Sequence, residues 1–464
     1  MNLTGFIHSF NKPVDLGKGP VGLTLLRMSL PAICMMLFNT LFFIVDTIFI
    51  SRLGEAPMAA ASLTFPVIIA LFAVLEGVAA GTTALVGQSL GRGDLATARK
   101  IAFSGLALNY ILSLCFTPML FPQISAAVFN QIGALGDAEI LRLSYEYNMW
   151  LPLTAPLIAY TFMSNSMFRC QGNTVTPFIA IALANLINGI LDYVFMFEFG
   201  WGIWGAGAAT FVARICAVIY IRHKMKSISL ISFPLLFMPQ KALAAHWKQI
   251  VSIGLPVTLA TGSVALGFGG INRVLASFGH HDAVTAWMLG IRVEDFYFNV
   301  ALGVSSALTP FLAFNYGRRD LPRMIEGLKA ASLIAGTIMA VIGGVIFIWP
   351  HVFLGLFNPS ERVMDLAIQS IRISMLAYPL VVMIFMMGSF FVATGYSIFS
   401  TAMQLIRSVI IRIPSAHFFA WWLGERGIWW FQPFSFMFGG LVAWYGYLYV
   451  VKQIQEDFSE TKTN

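Results

Sequence analysis

The chain has 464 residues, of which 58% are hydrophobic and only 11% are charged. Soluble domains carry about 25% charged residues, so this surplus of apolar side chains cannot be buried in one soluble core. The formal net charge of +7 does not indicate a nucleic-acid partner, because no extended basic surface interleaved with aromatic residues can be recognised. The composition therefore predicts an all-α polytopic membrane protein.

Twelve long apolar runs follow one another along the chain, and a helix needs about 20 residues to cross the hydrocarbon core of a bilayer. The first six runs lie near residues 24–51, 57–90, 100–121, 143–169, 175–197 and 202–222. The second six lie near residues 248–276, 283–316, 327–349, 368–394, 399–422 and 429–452. We therefore predict twelve transmembrane helices in two six-helix bundles.

These spans divide the chain into five segments. They are a cytoplasmic N-terminal segment (1–23), a first lobe (24–222), a cytoplasmic linker (223–247), a second lobe (248–452) and a cytoplasmic tail (453–464). Cationic residues cluster in alternate loops, and the positive-inside rule places these loops and both termini in the cytoplasm.

The two lobes repeat the same local sequences. Gly91-Arg-Gly-Asp94 ends the second span and Gly317-Arg-Arg-Asp320 ends the eighth, while Ala155-Pro-Leu157 corresponds to Tyr378-Pro-Leu380. Because six is an even number of spans, the lobes are expected to be parallel repeats related by a pseudo-twofold axis along the membrane normal. Such duplication is typical of transporters that work by alternating access.

Asp46 lies deep within the first apolar run. A carboxylate at such depth costs roughly 2.5–3.5 kcal/mol on insertion scales, so it normally faces the protein interior and serves ion or proton movement. The alternative is a polar residue that only holds two helices together.

The fifth span carries Asn185, Asn188 and Asp192 at positions i, i+3 and i+7, which places them on one helical face. A carboxylate beside carboxamides can hold a proton or a hard cation such as Na⁺, and the alternative is an interhelical hydrogen-bond ladder. If Asp192 approaches Asp46, one shared cation would switch the pair between repelling and neutralised states.

Other intramembrane charges are weaker candidates. The secondary coupling or substrate candidates are Glu76 in the second span and Arg292, Glu294 and Asp295 in the eighth. Arg292 can pair with either neighbouring acid, so structural neutralisation competes with a functional role for that group. Three further arginines are expected to pair with carbonyls or carboxylates or to reach an interface: Arg273, Arg407 and Arg412.

Two short motifs of soluble enzymes occur in the sequence, but without the structural elements that each motif requires. Gly200-Trp-Gly-Ile-Trp-Gly205 lies in a short connection between spans with no preceding strand, and Gly87-Gln-Ser-Leu-Gly91 ends a helix without a suitable acid–His pair. The chain has no Walker A sequence, so ATP is not expected to drive it directly. The sequence thus predicts no enzyme, no cofactor and no bound structural metal.

Taken together, the twelve spans, the first helix around Asp46, the Gly91–Asp94 turn, Cys170-Gln-Gly-Asn173 and the polar fifth span resemble multidrug and toxic compound extrusion (MATE) transporters, most closely the DinF-like branch. This resemblance covers nearly the whole chain. It implies that a coupling ion, H⁺ or Na⁺, is surrounded by the residues that match that branch: Asp46, Asn188, Asp192 and the sixth-span Thr210.

The same resemblance implies a monomeric antiporter in a prokaryotic cytoplasmic membrane, with lipid around it and small, amphipathic, often cationic organic compounds as substrates. Unlike the NorM-like and eukaryotic branches, Ile250–Leu275 in the seventh span contains no acid, which argues against a coupling carboxylate there. An alternative is a lipid-linked precursor flippase of the same superfamily, which would need arginines for an anionic headgroup; Arg214, Arg273 and Arg292 are candidates.

Overall fold

The computed structural model describes residues 13–134, 136–231, 233, 240–277 and 281–463. These residues form helices and connecting turns, with no β-strand among them. Most of the predicted N-terminal segment (residues 1–12) and the middle of the predicted linker (residues 234–239) lie outside the described residues.

Eight α-helices form the first half of the chain: α1 (Val21–Ser51), α2 (Glu55–Gly91), α3 (Leu95–Leu114), α4 (Pro122–Phe129), α5 (Ala138–Asn148), α6 (Leu151–Cys170), α7 (Val175–Tyr193) and α8 (Gly202–Ile228). A 3₁₀ turn, Thr117–Leu120, separates α3 from α4, and π-helical turns follow α4 (Asn130–Ala134) and α7 (Val194–Glu198).

Nine α-helices form the second half: α9 (Gln240–Ala276), α10 (His281–Gly317), α11 (Leu321–Ile348), α12 (Pro350–Gly355), α13 (Glu361–Met375), α14 (Tyr378–Thr394), α15 (Ser397–Leu405), α16 (Arg412–Gly427) and α17 (Phe431–Thr463). A π-helical turn, Ile406–Ile410, joins α15 to α16, and a 3₁₀ turn, Ile428–Trp430, joins α16 to α17.

Nine helical segments among the described residues are long and apolar enough to cross a bilayer, and the bent pair α13–α14 gives a tenth. The two remaining predicted runs correspond to α6 and to the interrupted helix α15–α16. The all-α membrane fold with twelve spans is therefore confirmed, although three runs are broken. Two of the breaks fall where Pro152 and Pro379 occupy the first turns of α6 and α14, positions that proline favours at helix starts.

By packing, the chain forms two compact units. The first contains Cys34–Leu255 with the described residues up to Asp15, and the second contains Leu16–Ile33 with the described residues from Pro256 onward. Of the three divisions, one lies between Asp15 and Leu16, before α1, and the other two fall inside α1 and α9, close to Pro31 and at Pro256. Proline removes one intrahelical hydrogen bond, so both helices are locally weakened where they pass from one unit to the other.

Each unit has its own apolar core. In the first unit, Val86, Ala102, Met163 and Phe168 are buried together where α2, α3 and α6 meet. In the second, α10, α13 and the start of α17 bury a cluster that includes Trp287 and Phe431. Polar groups inside either unit are therefore surrounded by closely packed apolar side chains.

The repeated turns at the ends of the second and eighth spans have the same structure. Asp94 accepts a hydrogen bond from the Thr97 amide at 2.9 Å, and Asp320 accepts one from the Arg323 amide at 3.1 Å. Each aspartate therefore caps the following helix. The residue before it has a positive φ, +80° at Gly93 but +60° at Arg319, a non-glycine residue.

We expect Arg319→Gly to stabilise the protein, because the left-handed conformation costs a residue with a Cβ roughly 1–2 kcal/mol. This exceeds the roughly 0.4–1 kcal/mol of entropy that glycine adds to the unfolded chain. Gly93→Arg should destabilise it by a similar amount, since nothing lies within 4 Å of a Cβ at Gly93 and only the backbone conformation matters there. Thermal unfolding of both variants in detergent measures the effect. Equal or same-direction shifts of Tm would contradict the prediction.

Candidate ion-coupling site

Asp46 lies in the part of α1 that belongs to the first unit, and its side chain is half-buried. Tyr147, on α5, lies beside Asp46, and its hydroxyl interacts with the Asp46 carboxylate. Apart from Thr47, the residues of α1 from 41 to 50 around Asp46 are apolar. A hydrogen-bond donor at this depth stabilises a carboxylate that lipid and apolar side chains cannot solvate.

Asp192 is fully buried near the end of α7. Its Oδ1 accepts a hydrogen bond from Asn188 Nδ2 at 2.9 Å, one helical turn earlier, while its Oδ2 has no hydrogen-bond partner among the described residues. The π-helical turn Val194–Glu198 begins two residues later. Turns of this kind often occur at functional sites, because they change the direction of the side chains around them.

The structure brings the two carboxylates together. Asp46 and Asp192 interact electrostatically, and Tyr147 interacts with both of them. Like charges in an apolar interior repel strongly, so one bound cation is a favourable way to neutralise the pair. The buried Oδ2 of Asp192, which has no partner, is an atom at which a proton or a hard cation can bind.

Asn185 occupies a different position on the same helical face. Its Nδ2 donates to the Phe38 carbonyl and to Asn39 Oδ1 of α1, each at 3.3 Å. It therefore ties α7 to α1, as in the hydrogen-bond ladder considered from the sequence, and holds Asp192 beside the helix that carries Asp46. Asn39 was not identified as a site residue from the sequence, although a polar asparagine within the first apolar run could have indicated one.

Thr210 is half-buried on α8, which packs against α7. It does not bond to Asp192 Oδ2, since that atom has no partner in the described part of the chain. Thr210 therefore lies on a neighbouring helix without a hydrogen bond to this oxygen.

Glu76, in the middle of α2, has an exposed side chain. Its electrostatic partner is Arg169 on α6, whose Nη2 donates to Ser166 Oγ at 3.1 Å. The structure therefore groups Glu76 with a basic residue rather than with the Asp46–Asp192 pair.

The secondary candidates on α10 belong to the second unit and diverge from one another. Glu294 is buried, and its Oε2 accepts a hydrogen bond from Gln432 Nε2 at 2.9 Å. Asp295 is half-buried and interacts electrostatically with the exposed Arg292. Within the described residues, however, Arg292 has no carboxylate oxygen within 4.0 Å. The pairing expected for Arg292 is thus an interaction through space rather than a contact.

Two segments of the chain, residues 31–194 and 256–418, each match the family model described as MatE. Together they span more than half of the sequence. The chain belongs to the MATE family. The resemblance noted from the polar first and fifth spans is thereby confirmed at the level of the family.

Among curated relatives of this MATE chain, the FAD transporter of Shewanella oneidensis is 28% identical over 445 residues, covering 92% of this chain and 94% of the relative. The multidrug export protein MepA of Staphylococcus aureus is 27% identical over 424 residues, covering 89% and 90% respectively. These relatives are transporters, which confirms that the chain is a transport protein and not an enzyme.

A solved structure described as the outward-facing conformation of a multidrug resistance MATE family transporter has a TM-score of 0.90 and 24% sequence identity, covering 96% of this chain and 99% of that one. A MATE structure in the bent conformation has a TM-score of 0.88 at 24% identity, covering 97% and 100%. At this identity the likeness concerns the fold alone.

Proposed function

We propose that this MATE transporter is a secondary active efflux antiporter in which H⁺ or Na⁺ binds at the Asp46–Asp192 pair. Uptake of the ion drives export of small, amphipathic, often cationic organic compounds by alternating access. The observation that carries the proposal is the buried Asp192 Oδ2, which has no hydrogen-bond partner in the described structure and interacts with a second carboxylate.

Each side chain has a distinct role in this proposal. Asp192 binds the ion, and Asn188 orients it by bonding Oδ1, which leaves Oδ2 available. Asp46 supplies the second negative charge, and the Tyr147 hydroxyl stabilises that charge when the ion is absent. If the ion is Na⁺, the oxygen atoms of Asp46, Asn188, Asp192 and Thr210 are suitable ligands, since hard cations prefer oxygen.

Ion binding would change how α1 packs against α7. With the site empty, two carboxylates repel each other across these helices, while Asn185 still joins them through its hydrogen bonds to Asn39 and to the Phe38 carbonyl. A bound cation removes the repulsion and draws the helices together. A ligand can shift such an equilibrium only through its different affinity for the two states, and the charge on this pair provides that difference.

Two relatives support organic cargo but differ in its chemistry: one is named a multidrug export protein and the other a FAD transporter. We propose export of drug-like compounds by a monomer in a prokaryotic cytoplasmic membrane, with both termini in the cytoplasm. The flippase alternative differs in its ligand. Binding of cationic dyes compared with lipid pyrophosphates to the purified protein separates the two.

Proteoliposomes with a pH gradient and a Na⁺ gradient imposed separately test the proposed coupling. We expect one of the two gradients to drive uptake of an organic dye against its concentration difference, and collapse of that gradient by an ionophore to stop it. Concentrative transport with neither gradient, or equal transport before and after the ionophore, would contradict the proposal.

A further inference from the structure

The second unit contains two buried arginines that no acid contacts. Arg407 and Arg412 are each 5% exposed. All 21 acidic residues of the chain are in its described part, and no carboxylate lies within 4.0 Å of either guanidinium among the described residues. The carboxylate partner considered from the sequence for these two residues is therefore absent.

Aromatic rings surround Arg412. Its guanidinium carbon lies 5.3 Å from the centre of the Phe268 ring and 5.4 Å from those of Trp287 and Phe431. Such rings attract a cation through their faces, but they offer no acceptor for its N–H groups. The Nε of Arg412 is buried without a hydrogen-bond partner in the described structure, so the edge of the guanidinium that forms paired hydrogen bonds is available.

Arg407 lies nearby in the π-helical turn that joins α15 to α16. Its Nε donates to Gln404 Oε1 at 2.9 Å, and its guanidinium carbon lies 4.6 Å from the centre of the Phe436 ring. The two arginines are close enough to repel each other. π-helical turns occur frequently at functional sites.

Glu294 is the nearest buried counter-charge. It interacts electrostatically with Arg412, but its Oε1 has no hydrogen-bond partner in the described part of the chain. Other titratable groups facing this region are Asp295, Tyr297 and Tyr378. Two arginines and one buried glutamate leave one positive charge without a partner, and an unpaired buried charge is strongly unfavourable.

We propose that Arg407 and Arg412 form a binding site for the oxyanion of an amphipathic ligand, a phosphate or carboxylate carried on an apolar body. Arginine matches such groups with two parallel hydrogen bonds, and the surrounding rings favour an apolar or aromatic body next to the charge. Glu294 competes with the ligand for Arg412, so the site is vacated when this glutamate approaches the guanidinium.

Binding of 1-naphthyl phosphate to the full-length protein in nanodiscs of neutral phosphatidylcholine tests the site, with 1-naphthol and inorganic phosphate as comparison ligands. Without any ion gradient, the outcome does not depend on coupling at Asp192. We expect naphthyl phosphate to bind at least about tenfold more tightly than either comparison ligand, because a charge-assisted pair and the apolar body contribute together.

Arg412→Lys keeps the charge but loses the paired hydrogen bonds, so the affinity should fall about tenfold. Glu294→Gln should raise the affinity, because it removes the competing charge, and this variant keeps the test decisive if Arg412→Lys does not fold. The matched control is Arg372→Lys, whose guanidinium also lies over a ring, 5.7 Å from Phe347, but on an exposed residue.

Nanodiscs that contain phosphatidic acid distinguish the source of the oxyanion. Competition by this lipid supports the site with a lipid phosphate as its ligand, whereas unchanged binding supports it with a soluble anion. Equal affinity for 1-naphthol and 1-naphthyl phosphate, or affinities unchanged in both Arg412→Lys and Glu294→Gln, would overturn the proposal.

Discussion

Cells that express an Asp192→Asn variant are expected to lose resistance to exported compounds, falling to the level of cells without the transporter. The substitution preserves size and the hydrogen bond with Asn188 but removes the buried charge that we propose binds the ion. The coupling free energy between linked binding sites is typically about 1–3 kcal/mol, and its loss leaves the ion gradient unable to drive efflux. Dye efflux from energised cells measures this effect.

Asp46→Asn should produce the same loss, because the switch requires both charges of the pair. The matched control is Glu198→Gln, which removes an exposed acid at the end of the π-helical turn that follows Asp192. Its efflux should equal that of the wild type. Normal efflux by both aspartate variants, at equal amounts of protein in the membrane, would contradict the assignment of the coupling site.

Gly254→Val is expected to give the largest loss of stability. A Cβ at Gly254 of α9 would lie 2.5 Å from the carbonyl oxygen of Gly77 on α2, within the first unit. Backbone atoms cannot move aside as a flexible side chain can, and forcing extra groups into packed interiors typically costs about 1–3 kcal/mol or more. We expect a lower Tm and a smaller yield of folded protein after purification in detergent.

Gly262→Val provides the control on the same helix. No atom lies within 4 Å of a Cβ at this position, so both variants introduce the same β-branched residue while only one introduces a clash. The Tm of Gly262→Val should stay close to that of the wild type. Equal stability of the two variants would show that the close approach of α9 to α2 does not depend on glycine.

The number and order of the membrane spans could be read from the sequence, because long apolar runs have few alternatives to crossing a bilayer. The breaks within three of these runs could not be predicted from the sequence. The predicted run 143–169 contains the end of α5 and nearly all of α6, and hydropathy alone does not distinguish one helix from two. The passage of α1 and α9 from one unit to the other was also not predictable, since it depends on contacts between distant residues.

The candidate site was predictable where spacing along one helix determines it. Asn188 and Asp192 lie one turn apart, and they form the hydrogen bond that this spacing favours. Tyr147 was missed because aromatic residues are common in membrane spans, and nothing in its neighbourhood shows that it faces Asp46. That relation requires α5 to pack beside α1, which is a property of the fold.

The charges of the second unit illustrate the same limit. The sequence indicated Glu294 and Asp295 together, yet only Glu294 is buried. Arg412 lies more than one hundred residues from Glu294, and only the structure shows that the two interact while three aromatic rings enclose the guanidinium. Charges along a sequence identify candidates, whereas folding determines which of them have partners.

The central claim is that one cation and the exported compound exclude each other through the carboxylates of Asp46 and Asp192. Its most direct test is to add the compound to purified protein in weakly buffered detergent solution and record ion release, with a pH dye for H⁺ and a Na⁺ electrode for Na⁺. We predict that the wild type releases one of these ions and that Asp192→Asn releases neither. Equal release from both proteins, or none from the wild type when the compound binds, would contradict it.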